Sequence, residues 1–187
     1  MSRDTKQRMV EAAALSLRQR GLTATSFTDV LAASGAARGA IYHHFPEGKV
    51  ELATHAVEWT GRRVRAEIES IDEDSPSAVL RSFVDHIRPV VEQATTGTSC
   101  AVAAVTAESS PSHPSLTAAA DTAFQSWVEA LGDRLRAAGA TPEQARSTAQ
   151  LMIAFLEGSL VLARASGTLT GFEQSAKTLL QALADPR

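Results

Sequence analysis

Apolar residues recur at intervals of three and four along nearly the whole chain, and this spacing restricts the fold more than any other feature. It gathers the apolar side chains of each segment on one side of a helix and leaves charged residues on the other side. In the first helix, which should stop at Gly21, the apolar stripe consists of Met9, Val10, Ala13, Ala14 and Leu17. The sequence contains no alternating strand pattern, internal repeat or low-complexity tract. It therefore predicts an all-α fold, in a chain of 187 residues that is long enough to bury its own core.

Two short helices joined by a tight turn are predicted after the first helix. Ser26 can cap the second helix, with Asp29 three residues later in a variant of the capping box, and Gly35 supplies a left-handed stop. The third helix is expected from Ala37 to Phe45, because Pro46 cannot continue the hydrogen-bond ladder. A helix followed by a short helix, a tight turn and another short helix is the helix-turn-helix arrangement.

The rest of the chain predicts six more helices, about nine in all. They are expected after Gly48, after Pro76, over Cys100–Glu108, from near Pro114 to Gly139, from Thr141 and from Thr170. Pro89 should kink or end the fifth helix. The sixth, CAVAAVTAE, is so apolar that we expect it to be buried on all sides.

Charge is distributed unevenly along the chain, although the total is only -3. Residues 1–65 hold ten basic and six acidic side chains, a net charge of +4, and the remaining residues carry a net charge of -7. A basic module on an acidic body is typical of a protein whose N-terminal part binds a polyanion.

The sequence also predicts a cytoplasmic location. Its one cysteine excludes an internal disulfide, and the N-terminus lacks the uninterrupted apolar core of a signal peptide. The most apolar run, residues 151–163, is interrupted by Glu157 and falls short of the roughly 20 residues that a membrane-spanning helix needs. We therefore do not expect membrane insertion.

The third helix carries large polar side chains, which indicates an outward face that meets something polar. On a helix Arg38 and Tyr42 share one side, while Ile41 and Phe45 turn inward. Arginine, tyrosine and histidine bind phosphates and base edges, and Gly39 would let the backbone approach a duplex closely. The alternative is an ordinary half-exposed surface, with Gly39 packed tightly against the second helix.

The stretch TSFTDVLAASGAARGAIYHHFPEGKVEL, which begins at Thr25, resembles the N-terminal signature of the TetR-type regulators. That signature has a T-x-x-x-I-A-x-x-A-G turn followed by G-x-L-Y-x-H-F-x-x-K, and the resemblance covers roughly residues 5–56. It implies a DNA-binding domain over residues 1–48 and a ligand-binding and dimerisation domain over residues 49–187. The residues that match the family's DNA-contacting positions are Thr28, Arg38, Gly39, Ala40, Tyr42, His43, His44 and Lys49.

Two features depart from the family pattern. Ala37 stands where a serine is common, and the connection PEGK before the fourth helix is one residue longer than usual, as in a subgroup of the family. Lys49 is nevertheless expected at the start of the fourth helix, where its ammonium and the free backbone N–H groups would converge on a phosphate.

The C-terminal part is expected to form a dimer, and the resemblance implies that it also binds a small effector, which we expect to be largely apolar. Residues 151–163 are apolar nearly all round, so a partner subunit could cover them and, with the last helix, complete an intermolecular four-helix bundle. Burial within one subunit is the alternative. The candidate pocket residues are Phe83, Ile87, Cys100, Phe124, Trp127, Met152 and Phe155, with His86, Arg88 and Glu108 as polar anchors.

Other chemistries find less support in the sequence. His43 and His44 should point apart on a helix, and the other histidines are scattered, so no metal site is predicted. Cys100 could act as a nucleophile with His86 or His113, but a lone cysteine in an apolar segment is more often a small buried residue. The resemblance to the TetR-type regulators implies a repressor, which we expect to bind a palindromic operator, with no catalytic residue, cofactor or metal. A hydrolase or transferase using Cys100 and a helical dimer that binds only a protein partner are the rivals.

Overall fold

The computed structural model describes residues 2–109 and 113–184, except for the side chains of Ser2, Arg3 and Ala184. These residues form nine helices and no strand, which confirms the all-α prediction. The helices are α1 (Ser2–Ala24), α2 (Phe27–Ser34), α3 (Ala40–His44), α4 (Lys49–Glu69), α5 (Pro76–Ala94), α6 (Ala101–Glu108), α7 (Pro114–Ala137), α8 (Pro142–Ser166) and α9 (Thr170–Ala184).

The chain divides into two compact units that do not follow the chain order. The first unit contains Met1–Arg63 and Cys100–Phe124, and the second contains Val64–Ser99 and Gln125–Arg187. Helices α4 and α7 each contribute residues to both units. Both compact units are defined by packing and the first contains residues from either side of position 48. They therefore do not test the domain boundary expected at residue 48, which stays a prediction.

In the first unit, the stripe of α1 forms the centre of an apolar core. Met9 and Leu17 are completely buried, as are Val30 of α2 and Phe45 at the end of α3. The Ser26 hydroxyl caps α2 by accepting a hydrogen bond from the Asp29 N–H at 3.1 Å. Helix α2 ends in a left-handed Gly35 with φ 64°, as predicted.

Three helix boundaries in this unit differ from the prediction. Helix α3 begins at Ala40 rather than Ala37, because residues 38 and 39 form a turn closed by the hydrogen bond from Ala40 N–H to the Ala37 carbonyl. It ends at His44, since the residue before a proline avoids helical geometry. Helix α1 is broken at Gly21 as expected, yet one further helical turn follows the break.

Helix α5 does not end at Pro89, one of the two outcomes expected there, and helix α6 differs from expectation. Helix α5 continues through Pro89 to Ala94, because Pro89 lies on the exposed side of the helix, where water can satisfy the carbonyl it leaves unpaired. The expectation that α6 is buried on all sides is wrong. Val102 and Val105 are buried, but the last turn of this short helix reaches the surface and exposes Glu108.

The second unit is built around the packing of α5, α8 and α9. Helix α8 begins with the predicted capping box, in which Thr141 and Gln144 satisfy each other's backbone N–H groups. Phe155 of α8 stacks on Phe172 of α9 with ring centroids 5.7 Å apart. By length and composition alone α8 could cross a membrane, but the core helix of a globular protein passes the same test.

Candidate nucleic-acid interface

Helix α3 separates its apolar from its polar side chains. Ile41 is 1% exposed and Phe45 is not exposed at all, whereas Tyr42 is 66% exposed. His43 and Arg38, the latter in the turn before the helix, are exposed as well. The segment therefore packs on α1 through two apolar anchors and presents its hydrogen-bonding groups to solvent.

Tyr42 is exposed, but its ring contacts another aromatic ring. It meets the ring of Phe27, the first residue of α2, edge-on with centroids 6.0 Å apart. Thr28, the next residue of α2, is exposed. The aromatic contact places one edge of the pair at the start of α2 and leaves the exposed end of the Tyr42 ring available to a ligand.

The two histidines do not point apart, contrary to the sequence-based expectation. Their rings meet edge-on with centroids 4.9 Å apart, and His44, which is half-buried, also lies 6.4 Å from the Phe45 ring. The helix is only five residues long, so its last side chains follow the change of backbone direction at Phe45. Within the described ranges no three histidine, cysteine or acidic side chains are grouped to hold a metal ion.

Gly39 is not held against the second helix. It precedes α3 with the ordinary helical φ of -70°, and a Cβ added to it would meet no atom within 4 Å. The alternative of tight packing against α2 is therefore wrong. The neighbouring Ala40, the first residue of α3, is half-buried.

Lys49 is the first residue of α4, as the sequence predicts despite the longer connection. Its ammonium donates a hydrogen bond to the carbonyl of Thr23 at 2.9 Å. It therefore already has a defined position in the free protein, next to the turn that follows Gly21.

Glu108 of α6 binds the same turn and is not the effector anchor that the sequence predicts, because its carboxylate is occupied by α1. The N–H groups of Leu22 and Thr23 donate to its two carboxylate oxygens at 3.1 and 2.7 Å. Hydrogen bonds from the side chain and backbone of Thr23 hold the pKa of Glu108 below its usual value, and the charge of Lys49 acts in the same direction.

A second group of polar side chains supports the end of α3. The Lys6 ammonium lies 5.3 Å from the centroid of the Phe45 ring and donates to Nε2 of His55 at 3.2 Å. Because ammonium can only donate, Nε2 must be the acceptor, which puts the His55 proton on Nδ1, 3.3 Å from Glu58. No motif in the sequence singles out Lys6 and His55 for this role.

The candidate effector residues fall in both compact units. Cys100 and Phe124 belong to the first unit, whereas the second contains Phe83, Ile87, Trp127, Met152 and Phe155. Of these five, all but the half-buried Phe155 are buried. The second unit also has a recess of about 220 Å³ between α5 and α9, bordered by Ser77, Leu80, Arg81, Leu180 and Gln181 and by none of the predicted residues.

The predicted polar anchors are engaged within the protein. Arg88 pairs with Glu173 and lies over the ring of Phe172, and Nδ1 of His86 is 2.8 Å from the Ser82 carbonyl oxygen. Glu108 binds α1, as described above.

Comparison with known proteins gives matches over both parts of the chain. Residues 9–56 match the model of bacterial regulatory proteins of the tetR family, and residues 76–178 match that of the LmrA/YxaF-like C-terminal domain of transcriptional regulators. An uncharacterised HTH-type transcriptional regulator of Mycobacterium tuberculosis is 34% identical over 170 residues, covering 88% of this chain and 87% of its own. The HTH-type transcriptional regulator LmrA of Bacillus subtilis is 25% identical over 161 residues, covering 85% and 86%.

Solved structures show the same fold. A TetR transcriptional regulator from Legionella pneumophila superimposes with a TM-score of 0.80 at 25% identity, covering 95% of this chain and 96% of its own. A TetR-family regulator from Agrobacterium tumefaciens gives a TM-score of 0.80 at 21% identity, covering 97% and 98%. The chain therefore belongs to the TetR family of transcriptional regulators, which bind DNA and are not enzymes.

Proposed function

We propose that this regulator is a cytoplasmic repressor that binds a palindromic operator as a dimer and is released by a small, largely apolar effector. The observation that carries the proposal is that Ile41 of α3 and the following Phe45 are buried, whereas Tyr42 of α3 is exposed. A helix of this kind can enter the major groove while its anchors stay in the core.

The DNA-contacting groups we propose come from three elements. Thr28 is the second residue of α2, residues 38–44 provide the turn and α3, and Lys49 begins α4. Lys49 and Tyr42 would bind phosphates, whereas Arg38 and His43 would reach base edges. Two copies of α3 on a palindrome would occupy successive major-groove faces roughly 34 Å apart.

The proposed dimer forms through α8 and α9. Leu151, Val161 and Leu162 of α8 are 45%, 65% and 62% exposed within one chain. Gly158 lies between them and is exposed, with no atom within 4 Å of the position of a Cβ. Large apolar side chains beside a small residue are what a partner helix needs for close packing, which favours a second copy of this face over burial within one subunit.

The proposed effector binds in the second unit. The buried Phe83, Trp127 and Met152 are side chains that can rearrange around an apolar molecule. An effector that prefers a wider spacing of the two DNA-binding domains would shift the dimer away from the form that fits the operator. Helix α4, which has residues in both units, would transmit the change.

Selection of bound duplexes from a random pool tests this function directly. We expect enrichment of an inverted repeat whose half-sites are about one helical turn apart, and footprinting should show both halves protected. Enrichment of single half-sites would contradict the dimeric arrangement. Absence of duplex binding at low salt, where phosphate contacts are strongest, would instead favour a protein that binds only another protein.

The effector can be tested separately. Small apolar compounds that raise the melting temperature of the full chain should also weaken its binding to the selected duplex. Compounds that stabilise the protein and leave its affinity for that duplex unchanged would contradict release by an effector.

A further inference from the structure

Thr23 connects Glu108 and Lys49 through the two polar groups of its own backbone. Its N–H donates to Glu108 at 2.7 Å, and its carbonyl accepts from Lys49 at 2.9 Å. We call these two hydrogen bonds the Thr23 bridge. Glu108 lies in the part of the chain that matches the C-terminal family model, and Thr23 lies in the part that matches the DNA-binding model. All three residues belong to the first compact unit.

The backbone at the end of α1 is shaped to receive this carboxylate. Gly21 has φ 80° and ψ 179°, which breaks α1 and turns the following N–H groups toward Glu108. A Cβ on Gly21 would lie 1.9 Å from Oε1 of Glu108. The Thr25 hydroxyl, which is buried, donates to the Gly21 carbonyl at 2.7 Å and holds the break in place.

We propose that Glu108 is a positioning residue for DNA binding, which acts through Thr23 to hold the Lys49 ammonium ready for a phosphate. The inference rests on the proposed contact between Lys49 and DNA. An ammonium has three donors, and the Thr23 carbonyl uses one, so two are left for phosphate oxygens. A lysine held in place loses less side-chain entropy on binding than a mobile one does.

The sign of the effect separates this role from simple electrostatics. Glu108 is a negative charge near a proposed phosphate contact, so by charge alone its removal should strengthen DNA binding. If Glu108 instead positions Lys49, its removal should weaken DNA binding, and only while Lys49 is present.

The test uses the full chain with Glu108→Gln, Lys49→Ala and the double variant, binding a mixed-sequence duplex at about 50 mM salt. Glutamine can still accept one of the two N–H bonds, so the fold should be kept. Because Glu108 is exposed, we expect a modest loss of affinity, about threefold, for Glu108→Gln. In the Lys49→Ala background this loss should disappear, and affinity should be unchanged or slightly higher, because only the repulsion between the Glu108 charge and the phosphates is then removed. Higher affinity of the single Glu108→Gln variant, or an equal loss in both backgrounds, would overturn the inference.

Glu108→Asp keeps the charge but shortens the side chain by one methylene, so it cannot reach both N–H groups. We expect it to weaken binding as Glu108→Gln does. Wild-type affinity in this variant would mean that the charge alone matters, and would overturn the positioning role. Glu92→Gln, which removes an exposed charge from α5, is the matched control and should leave affinity unchanged.

Amide hydrogen exchange examines the Thr23 bridge without DNA. The Thr23 N–H should exchange faster in Glu108→Ala, which offers no acceptor, than in the wild type, and an equal rate would show that Glu108 does not hold Thr23 in solution. If the wild type bound no duplex at low salt, the proposed function would be contradicted. If it bound duplex DNA, but the effects of the Glu108 and Lys49 changes on affinity were additive, only the positioning role of Glu108 would be contradicted.

Discussion

Gly21 occupies a backbone conformation that other residues reach only with strain. Its φ of 80° and ψ of 179° lie in a region that is essentially restricted to glycine, and a Cβ there would displace Glu108. We expect Gly21→Ala to lower the free energy of unfolding by about 2 kcal/mol, measured by urea denaturation. Gly35→Ala is the control, because Gly35 also has positive φ but nothing lies within 4 Å of its Cβ position. An equal loss in the two variants would contradict a specific role for the Glu108 contact.

The Tyr42 hydroxyl should contribute to DNA affinity without contributing to the free energy of unfolding. Tyr42→Phe removes the hydroxyl and keeps the ring that meets Phe27 edge-on. We expect binding to weaken by about threefold to tenfold on selected and mixed-sequence duplexes alike, as is typical of a lost phosphate contact. The urea midpoint should not move, because the side chain is 66% exposed.

A change in base preference would indicate a different role for the Tyr42 hydroxyl. If Tyr42→Phe altered which sequences are selected, the group would be reading base edges. If affinity stayed the same on every duplex, Tyr42 would have to be removed from the interface.

At the level of single residues, the sequence predicted exposure better than it predicted contacts. The apolar spacing was enough to place Ile41 and Phe45 inside and Tyr42 outside, because helical periodicity separates faces directly. It could not predict the Glu108 contact with α1, because that contact joins residues 85 and 86 positions apart in the sequence. Such contacts depend on how α6 packs on α1, which local patterns do not encode.

Helices α4 and α7 meet at Gly61 and Ala123, two positions without a large side chain. A Cβ on Gly61 of α4 would lie 2.9 Å from the Cβ of Ala123 on α7, closer than real side chains pack. Gly61→Ala should therefore push the two helices apart and lower the free energy of unfolding by about 1 to 3 kcal/mol. Thermal or urea unfolding of the full chain measures this loss.

The compensating variant makes the test specific to this contact. Gly61→Ala combined with Ala123→Gly exchanges the small residue between the two helices, so much of the lost stability should return. If the double variant were less stable than Gly61→Ala alone, the loss would come from elsewhere in α4.

Helix existence was predictable from sequence, whereas some helix ends were not. Strong caps such as Thr141 with Gln144 and the stop at Gly35 gave the correct ends, because they act through neighbouring residues. The start of α3 was placed too early, since nothing in the sequence indicated the turn at residues 38 and 39. Pro89 is expected to kink or end α5, and the helix does not end there, because on the exposed side of a well-packed helix one missing hydrogen bond is tolerated.

Across the whole molecule, the distribution of charge and of exposed apolar surface matches the division of labour expected in a TetR-family regulator. The basic residues gather in the N-terminal 65 residues, and the second unit carries the uncovered apolar face of α8. Sequence alone predicted both features, because net charge and all-round apolar character can be read without a structure. The lining of the effector site could not be predicted in the same way, since pocket shape depends on the packing of several helices.

Subunit association provides the last prediction. Leu162 is 62% exposed on α8, where the proposed partner would cover it, so Leu162→Glu should bury a charge at the interface and favour the monomer. Sedimentation velocity should show the wild type as a dimer and the variant with half the mass. Leu15→Glu is the control, because Leu15 is 48% exposed on α1, outside the proposed interface.

A monomeric variant should still bind single half-sites. It should no longer bind a palindrome more tightly than a half-site, because the two DNA-binding domains are no longer linked. A dimeric Leu162→Glu variant would contradict the α8 interface while leaving the assignment of the DNA-binding residues unaffected.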